Sequence, residues 1–297
     1  VVGILNGYKP NGMTSHDVVS FIRRTFQMKR VGHTGTLDQD AEGVLPILMG
    51  KATKLSDLVM AEEKRYAARV RLGVVTDTDD LSGTVLETKN VAVTETELIQ
   101  AVQSFAGETE QVPPMYSAIK VNGQKLYQLA RKGIVTQRSP RKITVFSLDV
   151  SNFNGTSFDL AVHCSKGTYI RALCRDIGEK LGTGAAMESL LRTQSGIFCL
   201  GNSHTLEEIE LAAKNGTAEQ LLISPDEALS GLKLVQADEA SAAKLKNGIR
   251  LRPEQLHICD FCENELFRIY SGGELLCILK VMKDGSQFVL AMDKSFY

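Results

Sequence analysis

The chain has 297 residues, 43% of them hydrophobic, and a formal net charge of −1 at pH 7. That length fits one large domain plus a small one, and the apolar content is that of a globular protein, which excludes a disordered or fibrous chain. No stretch approaches the roughly 20 consecutive apolar residues of a membrane span. The opening Val1 to Leu5 reads as a strand, not as the basic and apolar blocks of a signal peptide, so a cytoplasmic location is expected.

In chain order, the first strand runs to about Tyr8. Ser15 is a cap for a helix whose Val18, Val19, Ile22 and Phe26 share one face. Gly43 to Met49 predicts a buried strand. Lys64 to Leu72 alternates, with Tyr66, Ala68, Val70 and Leu72 on one side, and predicts a half-buried strand. Thr94 and Glu97 form a capping box ahead of a helix carrying Leu98, Ile99, Val102 and Phe105. Leu126 to Lys132 is a short helix stopped by Gly133. Val145 to Val150 and Ser157 to His163 are strands joined by an Asn154-Gly155 turn. Helices follow at Ile170 to Leu181 and Thr205 to Lys214. From about Leu232 the texture changes to a short helix, Asp238 to Leu245, and short strands at 266–270, 275–281 and 287–292. The whole predicts an α+β body followed by a small β-rich unit.

Six cysteines, at 164, 174, 199, 259, 262 and 277, show no dense disulfide framework and are expected as reduced thiols. His257, Cys259 and Cys262 have a spacing open to zinc, but they alternate with apolar residues as in a strand and lack a second cysteine pair, so no metal is expected. Asp77, Asp79 and Asp80 have no EF-hand continuation and predict a strand-ending turn. The charge is unevenly spread. Residues 113–143 hold Lys120, Lys125, Arg131, Lys132, Arg138, Arg141 and Lys142 and no acid, which leaves 34 − 7 = 27 basic against 35 acidic residues elsewhere. A basic arm on a neutral body suits a polyanion, and Tyr116 and Tyr127 add rings on which a base can stack.

The segment from Val31 to Pro46 concentrates the chemistry. It contains His33, Asp38, Asp40 and Glu42, with glycines at 32, 35 and 43 that admit backbone angles closed to other residues. It is expected to be an irregular loop. Asp38 follows Leu37 at the edge of an apolar strand, where a carboxylate has the fixed position and restricted water that a nucleophile or general base needs. Asp in such a turn can equally serve as a cap.

That segment resembles the central motif of the TruB-type tRNA pseudouridine synthases. Four more segments match in order: Gly3 to Val19 through Lys9 and Pro10; Lys64 to Tyr66 with Leu72 to Asp79; Pro113 to Gly123 running on to Tyr127 and Arg131; and Cys164 to Arg171. One departure is Gln39, where the family usually has proline after its aspartate. The resemblance implies the pseudouridine synthase fold, a mixed, mostly antiparallel central sheet flanked by helices, over 1–230. An RNA-gripping insertion would occupy about 113–143, and a PUA-like RNA-binding domain 231–297. It implies isomerisation of uridine to pseudouridine at position 55 of the tRNA T-loop, without cofactor or metal, by a monomer needing no protein partner and no membrane. Asp38 would be catalytic, as nucleophile or as the base that removes a sugar proton to give a glycal, with Arg171 as its cationic partner. His33, Tyr66, Tyr169 and Leu190 would bind the flipped nucleotide. Lys9, Lys120, Lys125, Arg131, Lys132 and Arg141 would face RNA. The alternative is a catalytically silent RNA-binding or RNA-folding protein, which would need no Asp38–Arg171 pair.

Overall fold

The computed structural model describes residues 1–60, 63–121, 123–130, 132–134 and 136–297. Arg131 and the side chain of Lys120, both expected on the RNA-facing arm, lie outside the described residues. The main sheet is built from β1 (Gly3–Lys9), β2 (Ala41–Met49), β3 (Glu63–Leu72), β4 (Gly107–Gln111), β5 (Arg141–Ser151), β6 (Ser157–Ser165), β7 (Ala185–Ser195) and β8 (Leu222–Ile223). Their order is β8-β1-β2-β7-β3-β6-β5-β4. Neighbours are antiparallel except β2 and β7, which run parallel. The expected mostly antiparallel sheet is therefore the observed one.

Alternation explains the central strand. On β3, Lys64, Tyr66, Ala68, Val70 and Leu72 are buried and the intervening residues are not. Their face packs on α2 (Glu95–Gln103) and α3 (Ile170–Lys180) through Leu98, Val102, Leu173 and Ile177. Each such fully buried aliphatic side chain contributes roughly 1.5–3 kcal/mol. A second core lies under α1 (Ser15–Thr25) and α4 (Leu206–Lys214), where Val18, Ile22 and Ile209 meet Leu5, Leu45 and Ile47. The expected capping box of Thr94 and Glu97 is present.

Two expectations change. The cap of α1 is Thr14, boxed with Asp17, because its hydroxyl reaches the Asp17 N–H; Ser15 is buried and free for another task. β7 was not expected as a strand. Its sequence, rich in Ala, Met, Glu and Leu, lacks alternation because irregularities at Met187/Ser189 and Arg192/Gln194 shift the register twice.

The C-terminal sheet has order β9 (Lys233–Gln236), β10 (Leu266–Ser271), β11 (Glu274–Asp284), β12 (Gln287–Ser295), with α5 (Glu239–Lys246) contributing Ala242 and Leu245 to its core. It sits against the main sheet: Leu266, Leu275, Ile278 and Phe296 share a cluster with Ile4 and Leu48. Arg268 donates to the Leu232 carbonyl at 3.0 Å and also binds the Asp226 carboxylate, while Lys294 pairs with Asp57 at 2.7 Å. The expected strand at His257 and Cys259 is absent. A short turn, Pro253–Leu256, ends instead at His257 in the left-handed conformation (φ 56°), which leaves Cys259 and Cys262 exposed. Among the described residues, no three His, Cys, Asp or Glu side chains converge as metal ligands.

Candidate active site

The loop around Asp38 is shorter than its composition suggests. Val31–His33 pairs with β2, and β2 itself starts at Ala41, so only residues 34–40 are irregular. Three ties fix them. The Ser15 hydroxyl accepts from the Leu37 N–H at 2.9 Å and donates to the Leu37 carbonyl at 3.1 Å, clamping the residue before Asp38. The Ala41 N–H donates to the Asp38 carbonyl at 3.2 Å and closes the turn. Gln39, on the other side, bonds twice to Gly12: the Gly12 N–H donates to its carbonyl at 3.0 Å, and its amide donates to the Gly12 carbonyl at 3.1 Å. These bonds hold by contact a position where proline would hold by ring geometry.

Lys9 belongs to this scaffold, not to the surface where it was expected. It is 0% exposed, and its ammonium donates to the carbonyls of Pro10 (3.0 Å), Met13 and Gln39 (3.0 Å). Burial pushes it down to about 8, against the pull of Asp38, Asp40 and Glu42. A buried ammonium spent on three carbonyls has no donor left for a phosphate.

Asp38 meets Arg171 from the first turn of α3. The Arg171 Nε donates to Asp38 Oδ2 at 2.8 Å across 133 positions of sequence. The guanidinium is anchored on both sides: Nη1 donates to the Thr78 carbonyl and Nη2 to the Tyr116 carbonyl, each at 2.9 Å. Asp80 Oδ2 adds a second negative charge 3.6 Å from Nε. The Arg171 side chain is 5% exposed and that of Asp38 47%, so a buried, fixed cation presents a carboxylate that outside molecules can reach.

The acids at 77–80 form the expected turn. Asp80 Oδ1 accepts from the hydroxyls of Thr78 and Ser82, and Asp77 Oδ1 from the Thr84 N–H. Asp79 pairs with Arg175, one turn beyond Arg171, at 3.1 Å, and burial raises its carboxyl.

Tyr66 and Leu190 lie on neighbouring strands beside this pair. Leu190 faces Ala41, three residues after Asp38, across the parallel junction, and both it and Tyr66 are largely buried in the same cluster as Leu37. Burial raises the Tyr66 phenol, while Arg192 opposes that. His33 is part-buried, and its Nδ1 has no hydrogen-bond partner among the described residues. Tyr169 is the residue immediately before α3. Four residues whose part here the sequence did not reveal complete the setting: Ser15, Asp80, Gln111 and Arg192. Arg192 is fully buried and donates from Nε to the Val44 carbonyl (2.7 Å) and from Nη2 to the Gly35 carbonyl (2.9 Å), bracketing the Asp38 loop. Nothing in its neighbourhood, which mixes Leu190 and Leu191 with Glu188, Thr193 and Gln194, marks it as buried.

The basic arm leaves the sheet at Gln111 and returns at Arg141, which pair with each other. Arg141, Lys142 and Lys132 are exposed; Lys125 is part-buried, its ammonium 5.6 Å from the Tyr127 ring centre. Arg138 is used internally, donating to the Pro113 carbonyl at 3.0 Å.

An accessible carboxylate on a buried arginine, beside a tyrosine and below a basic arm, is equipped to attack or deprotonate an electron-poor centre on a polyanion. Comparison with known proteins points the same way. The model of the TruB family pseudouridylate synthase N-terminal domain matches residues 23–170, and that of the tRNA pseudouridylate synthase B C-terminal domain matches residues 171–230. The chain is 42% identical to tRNA pseudouridine synthase B of Clostridium tetani, over 97% of this chain and 98% of that protein. It is 47% identical to the protein of that name from Bacillus cereus, over 85% of each. Among solved structures, the Cbf5-Nop10-Gar1 complex contains a chain that superposes with a TM-score of 0.76 at 27% identity, covering 99% of this chain and 84% of that one. An H/ACA RNP bound to a substrate RNA containing 2′-deoxyuridine matches with a TM-score of 0.74 at 26% identity, over 100% and 85%. Two family models that together match residues 23–230, and relatives 42% and 47% identical over 97% and 85% of the chain, place this chain in the TruB family of pseudouridylate synthases.

Proposed function

We propose that this protein converts uridine to pseudouridine in tRNA, at position 55 of the T-loop. The C1′–N1 bond breaks, the uracil turns, C5 bonds to C1′, and the proton on C5 is lost as N1 gains one. Atoms and electrons balance without a redox partner or energy source, so the scheme uses no cofactor. Asp38 supplies the carboxylate, either attacking the sugar or removing its proton to give a glycal. Arg171 holds that carboxylate in place. Tyr66, Tyr169 and Leu190 are read as the walls of the nucleotide site, and His33 Nδ1, without a hydrogen-bond partner among the described residues, as a hydrogen-bonding group for the extruded nucleotide. Lys125, Lys132 and Arg141, with Lys120 and Arg131, are read as phosphate contacts on the arm. Residues 1–230 are read as the catalytic domain and 231–297 as a PUA-like RNA-binding domain of a cytoplasmic monomer; among the described residues no helix is long and apolar enough to cross a membrane.

The observation that carries this reading is the 2.8 Å contact between Arg171 and Asp38. A silent RNA-binding module needs a basic surface but no carboxylate held out by a buried cation. The test is to incubate the protein with an unmodified tRNA transcript in chelator and map pseudouridine. The wild type converts the T-loop uridine. Asp38→Ala gives no product and keeps its affinity for the transcript; product from that variant removes the assignment.

A further inference from the structure

The N-terminus of α3 carries Arg171, yet it lacks an ordinary cap. Its N-cap residue, Tyr169, makes no side-chain capping bond. The backbone there is held instead from another strand. Gln111, the last residue of β4, is 4% exposed. Its side-chain oxygen accepts from the Tyr169 N–H at 2.8 Å, and its side-chain nitrogen donates to the Tyr169 carbonyl at 3.0 Å. Both backbone groups have fixed roles, so the amide has one orientation, and an Asn or Gln amide carries its donor and acceptor side by side on one planar group.

We propose that Gln111 is a positioning residue for the isomerisation: it sets the backbone of Tyr169 and, through it, the placement of Arg171 and Asp38. The inference rests on the reading of Asp38 and Arg171 given above. Gln111 stands where it can do this because it is the root of the basic arm. It pairs with Arg141, the residue at which the arm returns, and the arm's own backbone is bound to α3 twice more, through Arg171 to the Tyr116 carbonyl (2.9 Å) and Arg175 to the Val112 carbonyl (3.2 Å). The arm that grips the substrate and the helix that holds the catalytic carboxylate therefore share one rigid joint, with Gln111 as its side-chain clamp. Gln111 is too far back in the construction to touch the nucleotide itself: its polar atoms are consumed by Tyr169.

The test compares Gln111→Met, which keeps length and loses both bonds, with Gln111→Glu, which keeps the acceptor but turns a second oxygen towards the Tyr169 carbonyl. Single-turnover rates at saturating enzyme and the Kd for catalytically unreacted transcript are measured at a temperature where near-ultraviolet circular dichroism shows the variants folded. Both variants are expected to lose at least about tenfold in rate, with Kd within about threefold of wild type, and with faster hydrogen exchange at the Tyr169 amide. A rate within twofold of wild type in either folded variant overturns the inference. So does a loss confined to Kd, or unfolding of both variants, since each assigns Gln111 a role in RNA affinity or stability alone. A wild-type protein that forms no pseudouridine sinks the functional reading instead, and the two failures are separable because the wild type is measured beside the variants.

Discussion

At the scale of single residues, the proposed chemistry rests on one guanidinium that makes several contacts at once. Arg171 spends Nε on Asp38 and its two terminal nitrogens on the carbonyls of Thr78 and Tyr116. An Arg171→Met chain therefore loses the anchor of the carboxylate and leaves two part-buried carbonyls unsatisfied, a destabilisation of about 2–4 kcal/mol at the usual cost per group. Pseudouridine formation is expected to fall at least about 100-fold, and urea unfolding measures the stability loss; a variant of wild-type stability would show that these carbonyls find water instead. Lysine is no substitute, because its single ammonium cannot serve three acceptors in one plane. His33 gives a pH signature. Burial, then the Arg192 and His16 charges, hold its pKa below the ordinary 6.5. The folded state then binds fewer protons than the unfolded one below about pH 6.5, so stability falls as pH drops from there towards the folded pKa. Thermal unfolding between pH 5 and 8 should show this acid-side loss in the wild type and a flatter profile in His33→Gln; identical profiles would place the cause elsewhere. The contact between Asp38 and Arg171 was expected from the motifs around them and is present. Lys9, expected to face RNA by resemblance, is buried instead, and only the fold reveals three carbonyls converging on it.

Elements position these residues by closeness of packing. β2 and β7 run parallel from Ala41 and Leu190 to Gly43 and Arg192, and this junction brings the loop of Asp38 against Arg192. Gly43 makes the approach feasible. Its φ is +107°, and a β-carbon there would lie 2.3 Å from the Arg192 carbonyl oxygen. Gly43→Ala combines left-handed strain with overpacking against backbone, about 2–4 kcal/mol together, and it must also displace the loop. Reduced unfolding midpoint and reduced turnover are expected together; an alanine variant with wild-type values for both would contradict the contact. The helices were legible because capping and amphipathic spacing are local signals, as Thr94 with Glu97 shows. β7 was not, because its strand state is imposed by neighbours: β2, β3 and Phe198–Cys199 all pair with it, which overrides a helix-favouring composition.

On the function proposed above, the molecule as a whole separates holding from reacting. Outside residues 113–143 acids outnumber bases by 35 to 27, whereas the arm has seven bases and no acid. A polyanion is thus drawn to one side, and the arm's root is bonded to α3 beside Asp38. Three of the arm's cations, Lys132, Arg141 and Lys142, are exposed and lie in no ion pair among the described residues. Each phosphate contact contributes about 0.7–0.9 to the slope of log K against log salt. Replacing all three with alanine should flatten that slope by about 2, measured by tRNA binding between 50 and 200 mM salt. The loss should be nearly the same for transcripts that differ in T-loop sequence, since phosphates carry no base identity. Single-turnover rate at saturating enzyme should stay within a few-fold of wild type, because none of the three side chains bonds to Asp38, Arg171 or Tyr169. An unchanged slope would move the RNA to another face of the protein. A collapse in rate without a change in slope would make the arm part of the chemistry, and the division between a gripping surface and a reacting carboxylate would have to be given up.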